Sequence, residues 1–340
     1  MHTPGRYDAP VEQRAFQRWG RDASVIGLGT WQLGADWGAI DEDDAIGILE
    51  AAVAAGVTFL DTADVYGDGR SEQLIGRFLD GLPPETAAGI TVATKMGRRV
   101  PQEPERYNLD NFRAWTDRSR ANLGVETLDL VQLHCPPTVV FGFDRTFADL
   151  DTLVAEGRIG AYGVSVETCD EALAAIVRPG VVSVQIILNA FRRKPLERVL
   201  PAARAAGVGI IARVPLASGL LSGRYGRDTV FPADDHRTYN RQGEAFDLGE
   251  TFSGVDYATG VDAAAEFSAL APAGMTPAQT ALRWVIQQPG VTTVIPGART
   301  IDQVQSNVDA AGGPDLSAET LRAIEELYDR RIRAGVHDRW

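Results

Sequence analysis

The chain has 340 residues, 44% of them hydrophobic and 23% charged, with a formal net charge of −13. This balance belongs to a core-forming globular protein, long enough for one large barrel domain or two ordinary ones. The acidic surplus argues against nucleic acid or an anionic membrane surface as partner, since both need clustered Lys and Arg, although a small basic pocket inside the acidic shell remains compatible with it.

Cys135 and Cys169 are the two cysteines of the chain, too few for a disulfide framework or a zinc-spacing pattern. They are expected to be reduced, partly buried thiols. The N-terminal segment is polar, and no stretch reaches the ~18 uninterrupted apolar residues of a membrane span. The most apolar candidate, VGIIARVPLASGLL, is broken by Arg213 and Pro215. The expectation is a cytoplasmic protein.

In chain order, the strand candidates are SVIGLGTWQ (24–32), TFLDTAD (58–64), ITVATKM (90–96), LDLVQLH (128–134), IGAYGVSV (159–166), VVSVQIILN (181–189), GIIARVP (209–215) and TTVIPGA (292–298). They are rich in Val, Ile and Leu with little polar alternation, as parallel strands buried on both faces are. Amphipathic helices fall between them, such as 41–56 and 146–157. In 41–56, Ile46, Leu49, Ala52 and Val53 form one stripe, and Asp41 to Asp44 load the positive end of the helix dipole. Helices stop at Gly56, Gly124, Gly157 and Gly207, where a residue without Cβ closes a helix cheaply. Eight strand-then-helix units predict a single-domain (β/α)8 TIM barrel. A doubly wound sheet would place a glycine-rich turn and a helix straight after its first strand, and no long helix follows 24–32 until about residue 41. The irregular stretch 222–260 leaves the carboxyl end of the seventh strand, where barrel enzymes hold their sites, and reads as a lid or substrate loop.

Polar residues stand at the ends of strand runs: Asp61 in FLDTADVYG, Lys95 in VATKMG and His134 in LVQLHCPP, with Tyr66 five residues after Asp61. Carboxyl ends of barrel strands converge on one axial pocket. There a lysine ammonium would favour phenolate and lower the tyrosine pKa from near ~10. A carboxylate would hold the ammonium, and an imidazole would orient a carbonyl oxygen. The combination is a general acid aimed at a carbonyl receiving hydride. His134 stands out because the other three histidines, His2, His236 and His337, lie in the termini or the long loop.

FLDTADVYGDGRSEQLIGRFL, VATKMG and LDLVQLHCPP resemble the aspartate–tyrosine, lysine and histidine segments of the aldo-keto reductase family, and the similarity runs from about residue 15 to 325. The resemblance implies NADP(H), bound extended across the barrel mouth, and a small-molecule carbonyl or alcohol substrate. It implies that Gly29, Thr30 and Trp31 border the nicotinamide ribose and that Ser165 and Gln185 bond the carboxamide. Pro215, Leu216, Ser218, Gly219 and Leu221 would fold over the pyrophosphate. The segment VIPGARTIDQVQSNVDA would hold the adenosine end, with Gly297, Arg299, Gln303 and Asn307 nearest. Thr300 with Gln303 has capping-box spacing, which presents a helix N-terminus to a phosphate, and Arg299 is a fork suited to a 2′-phosphate. The sequence departs from the commoner family pattern at Val166, where an asparagine often stands, and at Arg213, where an aromatic often stacks on the nicotinamide. Gly297 replaces a frequent lysine, and Ser306 a frequent glutamate.

Two other readings fit parts of the pattern: a regulatory subunit that senses NADP(H) without turnover, and a Schiff-base enzyme with Lys95 as nucleophile. Trp31 and Trp37, the segment 98–108, and His236, Arg237 and Tyr239 are the expected walls of a substrate pocket suited to a polar carbonyl compound.

Overall fold

The computed structural model describes residues 11–34 and 40–340; Trp37, an expected pocket wall, lies outside the described residues. The chain opens with an antiparallel hairpin of β1 (Gln13–Phe16) and β2 (Arg21–Ser24). A parallel sheet follows, made of β3 (Leu28–Gly29), β4 (Phe59–Asp61), β5 (Thr91–Met96), β6 (Leu128–His134), β7 (Ile159–Ser165), β8 (Val181–Ile187), β9 (Gly209–Arg213) and β10 (Val291–Val294). Each of these eight strands pairs with its sequence neighbour, in the order β10-β9-β8-β7-β6-β5-β4-β3. The ends meet through parallel bridges of Ile26 with Val294 and Gly29 with Gly297. The barrel is closed, as the alternating pattern predicts.

The first strand differs from its expected range of 24–32. Ladder pairing covers only Leu28–Gly29, and Trp31–Gly34 forms a 3-10 turn. The reason is at Thr30, whose amide and hydroxyl both bond the Asp61 carbonyl at 2.9 Å and turn the chain out of the ladder. The last strand likewise ends at Val294, so that 295–300 borders the mouth.

Helix ends follow local chemistry. Asp41 caps Glu42–Ala54 by accepting from the Asp43 amide at 2.8 Å. Gly124 and Gly207, both at φ 69°, close the helices Leu109–Leu123 and Pro195–Ala206 in the left-handed conformation. The buried stripe of Glu42–Ala54 is Ala45, Ile48, Leu49 and Ala52. Ile46 and Val53, placed on that stripe by the sequence, sit half-buried at its margin and pack against the core from its edge.

Two apolar layers result. The larger lies between strands and helices; the smaller fills the barrel axis with Phe59, Ala93, Leu130, Ala161, Val182, Ile211 and Ile295. The hairpin, absent from the sequence-based expectation, plugs this inner layer from below. Phe16 is fully buried and stacks on Phe59 with centroids 5.7 Å apart. Its ring also occupies the space a Cβ on Gly209 would need, at 2.1 Å. Among the described residues no helix is long and apolar enough to cross a membrane.

Replacing Phe16 by Ala leaves a cavity in the barrel floor and should cost about 3–5 kcal/mol. A lowered chemical-unfolding midpoint with unchanged ligand affinity is the expected result.

Candidate active site

Strand register brings the chemistry together. Lys95 of β5 pairs with Gln132 of β6, His134 ends β6 beside Ser165 of β7, and Ser165 pairs with Gln185 of β8. Asp61 is the last residue of β4, and Tyr66 opens the short turn Tyr66–Gly69 that follows. In that turn Gly67 has φ 57°, and a Cβ there would come within 2.1 Å of the Gly34 carbonyl. Glycine lets the turn seat against Trp31–Gly34 and so aims Tyr66 inward.

Lys95 is 1% exposed. Its Nζ donates to Asp61 Oδ1 at 2.5 Å, to the Thr62 carbonyl at 2.8 Å and to the Tyr66 hydroxyl at 3.2 Å. Burial opposes its charge, but Asp61 and Tyr66 more than restore it, so its pKa is raised and it stays an ammonium. With three partners and a held proton, Lys95 is not a free amine nucleophile, which removes the Schiff-base reading. The other Asp61 oxygen accepts from Gln185 at 2.6 Å and from Gln132 at 3.3 Å.

The Tyr66 pKa is raised, not lowered as the sequence suggested. Burial outweighs the pull of the Lys95 charge and hydrogen bond, and Asp61 adds to the rise. Tyr66 therefore holds its proton through neutral pH. His134 is pushed well below its ordinary value by burial and by Arg98, Lys95 and Arg213, so its imidazole is neutral. Its ring stands edge-on to Tyr66 with centroids 6.0 Å apart, and its buried Nδ1 has no hydrogen-bond partner among the described residues.

These groups open into a cavity of about 590 Å³. Gly29, Thr30, Trp31, Asp61, Tyr66, His134 and Gln185 form one end of its wall. Arg213, Pro215, Leu216, Ser218 and Gly219 form the middle, and Gly297, Arg299, Gln303 and Asn307 the far end. Ser165 and Leu221 are not on that wall: Ser165 lies behind Gln185 at 3.5 Å, and Leu221 is fully buried in the core. At the far end, Thr300 caps the helix Ile301–Gly312 by accepting from the Gln303 amide at 3.2 Å. The Gln303 side chain accepts from the Arg299 amide at 2.8 Å, one residue earlier than a capping box requires.

The segment 222–256 runs across this cavity before the helix Tyr257–Ala269 begins. His236 and Phe246 pack on Trp31 at 5.2 and 5.9 Å, and Trp31 stacks on Tyr66 at 6.0 Å. Tyr239, an expected wall, is instead partly exposed and off the lining. Arg237 lines the cavity, but its guanidinium is paired with Asp235, so it adds less basic character than its sequence position suggests.

Sequence reasoning missed a second ionic group. Arg213, which stands where an aromatic often stacks on the nicotinamide, donates through Nη2 to Glu167 Oε2 at 2.9 Å and to the Val166 carbonyl at 3.1 Å. Arg98 donates to Glu250 at 2.9 Å and to Glu167 at 3.3 Å. Glu250 comes from the long segment, so the cluster binds that segment to the barrel. Its signal was the same as that of the first group, since Arg98 and Glu167 stand two residues past β5 and β7.

The sequence profile of the aldo/keto reductase family matches residues 25–329. A protein of Mycobacterium tuberculosis named an uncharacterized oxidoreductase is 35% identical over 314 residues, 89% of this chain and 88% of that protein. Among solved structures, a glycerol dehydrogenase from Gluconobacter oxydans superposes with a TM-score of 0.77 at 30% identity, covering 94% of this chain and 96% of the other. An aldo-keto reductase from Klebsiella pneumoniae, solved in complex with NADPH, gives 0.70 at 25% identity over 94% and 95%. The chain belongs to the aldo/keto reductase family and is an oxidoreductase.

Burial raises the Glu167 pKa from 4.5 to about 7, with the Glu250 carboxylate adding to the rise and Arg213 opposing it. A carboxyl that holds its proton longer when folded loses stability as pH climbs from 4.5 towards 7. The neutral variant E167Q is spared that loss. Its melting temperature relative to wild type should therefore increase as pH rises from 4.5 to about 7, and a pH-independent difference would refute the assignment.

Proposed function

We propose that the protein catalyses reversible hydride transfer between NADP(H) and a small carbonyl or alcohol compound, with Tyr66 as general acid. The observation that carries this reading is the chain Asp61–Lys95–Tyr66, enclosed at the end of a cavity that continues to a capped helix N-terminus.

The residues present fit the cofactor. Ser218 and Gly219 flank the middle of the groove, where a pyrophosphate would lie. Arg299 and the N-terminal amides of the Thr300-capped helix Ile301–Gly312 offer positive potential suited to a 2′-phosphate, opposed by Asp302 of the first turn, and on balance favour NADPH over NADH. Gln185, already held by Asp61, presents its remaining amide capacity towards the carboxamide end, with Ser165 behind it. Bound there, dihydronicotinamide supplies the hydride.

The protein's own part is proton delivery and orientation. As hydride reaches the carbonyl carbon, the C=O electron pair moves onto oxygen, and that oxygen takes the Tyr66 proton. The Lys95 ammonium, 3.2 Å from the phenolic oxygen, stabilises the phenolate that remains. Asp61 keeps Lys95 charged, and neutral His134 donates a hydrogen bond to the carbonyl without competing for the proton. In the oxidative direction the same groups act in reverse. The segment 222–256, with His236 and Phe246 on Trp31, is the substrate loop of this reading.

Replacing Tyr66 by Phe should leave the Kd for NADPH near wild type while lowering turnover of a reactive aldehyde by about 10²–10⁴-fold. Cofactor titration by fluorescence and a panel of aldehydes and ketones read by NADPH absorbance measure both. Near-normal turnover by Y66F would rule out the tyrosine as acid.

A further inference from the structure

Two turns of left-handed backbone face each other above the cavity. Ala217, Ser218 and Gly219 have φ of 48, 54 and 95°, and Phe252, Ser253 and Gly254 have φ of 53, 59 and 73°. Residues with a Cβ enter this region only when their surroundings fix them there. The turns fix each other: the Ser218 hydroxyl donates to the Glu250 carbonyl at 3.1 Å and accepts from the Phe252 amide at 3.0 Å. Asn189 steadies the second turn through Ser253 Oγ at 2.7 Å.

Trp340 closes the second turn from outside. Its ring fills the space beside Gly254, where an added Cβ would come within 2.2 Å, and it also crowds Gly249, where an added Cβ would come within 3.0 Å of the ring and 2.0 Å of the Arg192 guanidinium. The indole N–H donates to Asp247 Oδ1 at 3.1 Å, and the same oxygen accepts from the Gly249 amide at 2.6 Å. The Arg192 guanidinium lies 3.9 Å from the ring centroid and donates to the Glu167 carbonyl at 2.5 Å. Trp340 does not line the cavity. Its contacts nevertheless end on the backbone that carries Glu250 and Glu167, the two acids of the buried ion cluster.

We infer that Trp340 is a positioning residue for the cofactor. Acting through Asp247–Gly254, it holds the turn Ala217–Gly219 against the groove and thereby slows release of NADP(H). This rests on the cofactor reading above. Ser218 and Gly219 are the cavity residues that would grip the pyrophosphate, and Ser218 is also the residue bonded to the clasped turn. Loss of the indole frees Gly254 and Asp247, the second turn relaxes, and the first loses both of its bonds to it.

The test compares wild type, W340A, W340F and D247A. NADPH dissociation is followed by stopped-flow fluorescence, hydride transfer by single turnover at saturating NADPH, and amide hydrogen exchange in the protein without NADPH. W340A is expected to release NADPH about tenfold faster, to leave the single-turnover rate within about twofold, and to exchange faster in both 217–223 and 248–254. W340F, which keeps an aromatic ring but loses the indole's bond to Asp247, and D247A should fall between. Unchanged dissociation and unchanged exchange at 217–223 in W340A, W340F and D247A would overturn the inference, even with a lowered melting temperature, since that is all a packing role predicts. A reduced single-turnover rate with normal dissociation would overturn it as well. If wild type itself fails to bind NADPH, the cofactor reading falls, and exchange at 217–223 still decides whether the two turns are coupled.

Discussion

The ion pair between Lys95 and Asp61 constrains everything around it. Two charges taken almost wholly out of water lose most of their hydration, and their mutual attraction recovers this only when every remaining donor and acceptor is matched. The site meets that requirement with the Thr62 carbonyl and the Tyr66 hydroxyl on the lysine, and with Gln185 and Gln132 on the carboxylate. Removing either partner would strand the other charge, at about 3–5 kcal/mol. Both side chains that hold the ammonium, Asp61 and Tyr66, also line the cavity.

Electrostatics at the mouth is therefore less a matter of net charge than of pairing. The chain carries −13 overall, yet Arg213, Arg237 and Arg299 reach the cavity wall. Arg213 is tied to Glu167, and Arg237 to Asp235. The positive potential that raises the cost of charging His134 comes from groups fixed in place by such pairs. The high phenol pKa of Tyr66 follows from enclosure, and it shifts the work of Lys95 from ionising the phenol in the resting protein to stabilising phenolate once the proton has gone.

The two ends of the barrel divide the labour between stability and chemistry. The floor is apolar and close-packed around Phe16 and Phe59, so a lost ring there is a packing loss. The mouth holds the polar groups, the left-handed turns and the long segment, all of which depend on mutual support for their conformation. Glu250 joins these features: its side chain enters the ion cluster, and its carbonyl bonds Ser218.

Local chemistry made much of this legible in the sequence. Buried parallel strands need continuous Val, Ile and Leu, helix ends need Asp41, Thr300, Gly124 or Gly207, and strand termini at a barrel mouth converge, so Asp61, Tyr66, Lys95 and His134 are gathered by the sequence alone. What pairs across long separations could not be read. The hairpin at 13–24 has no run long enough to announce a strand, and only the open barrel floor gives Phe16 its place. Glu167, Arg98, Arg213 and Glu250 are ordinary surface-type residues until the fold buries them together, and the sign of the Tyr66 shift depends on how much water the folded chain excludes. Trp340 meets Asp247 and Gly254 only because the barrel returns the end of the sequence to its own mouth. A sequence records which local conformations are cheap; which distant charges and rings must share an enclosed space is set by the closed sheet.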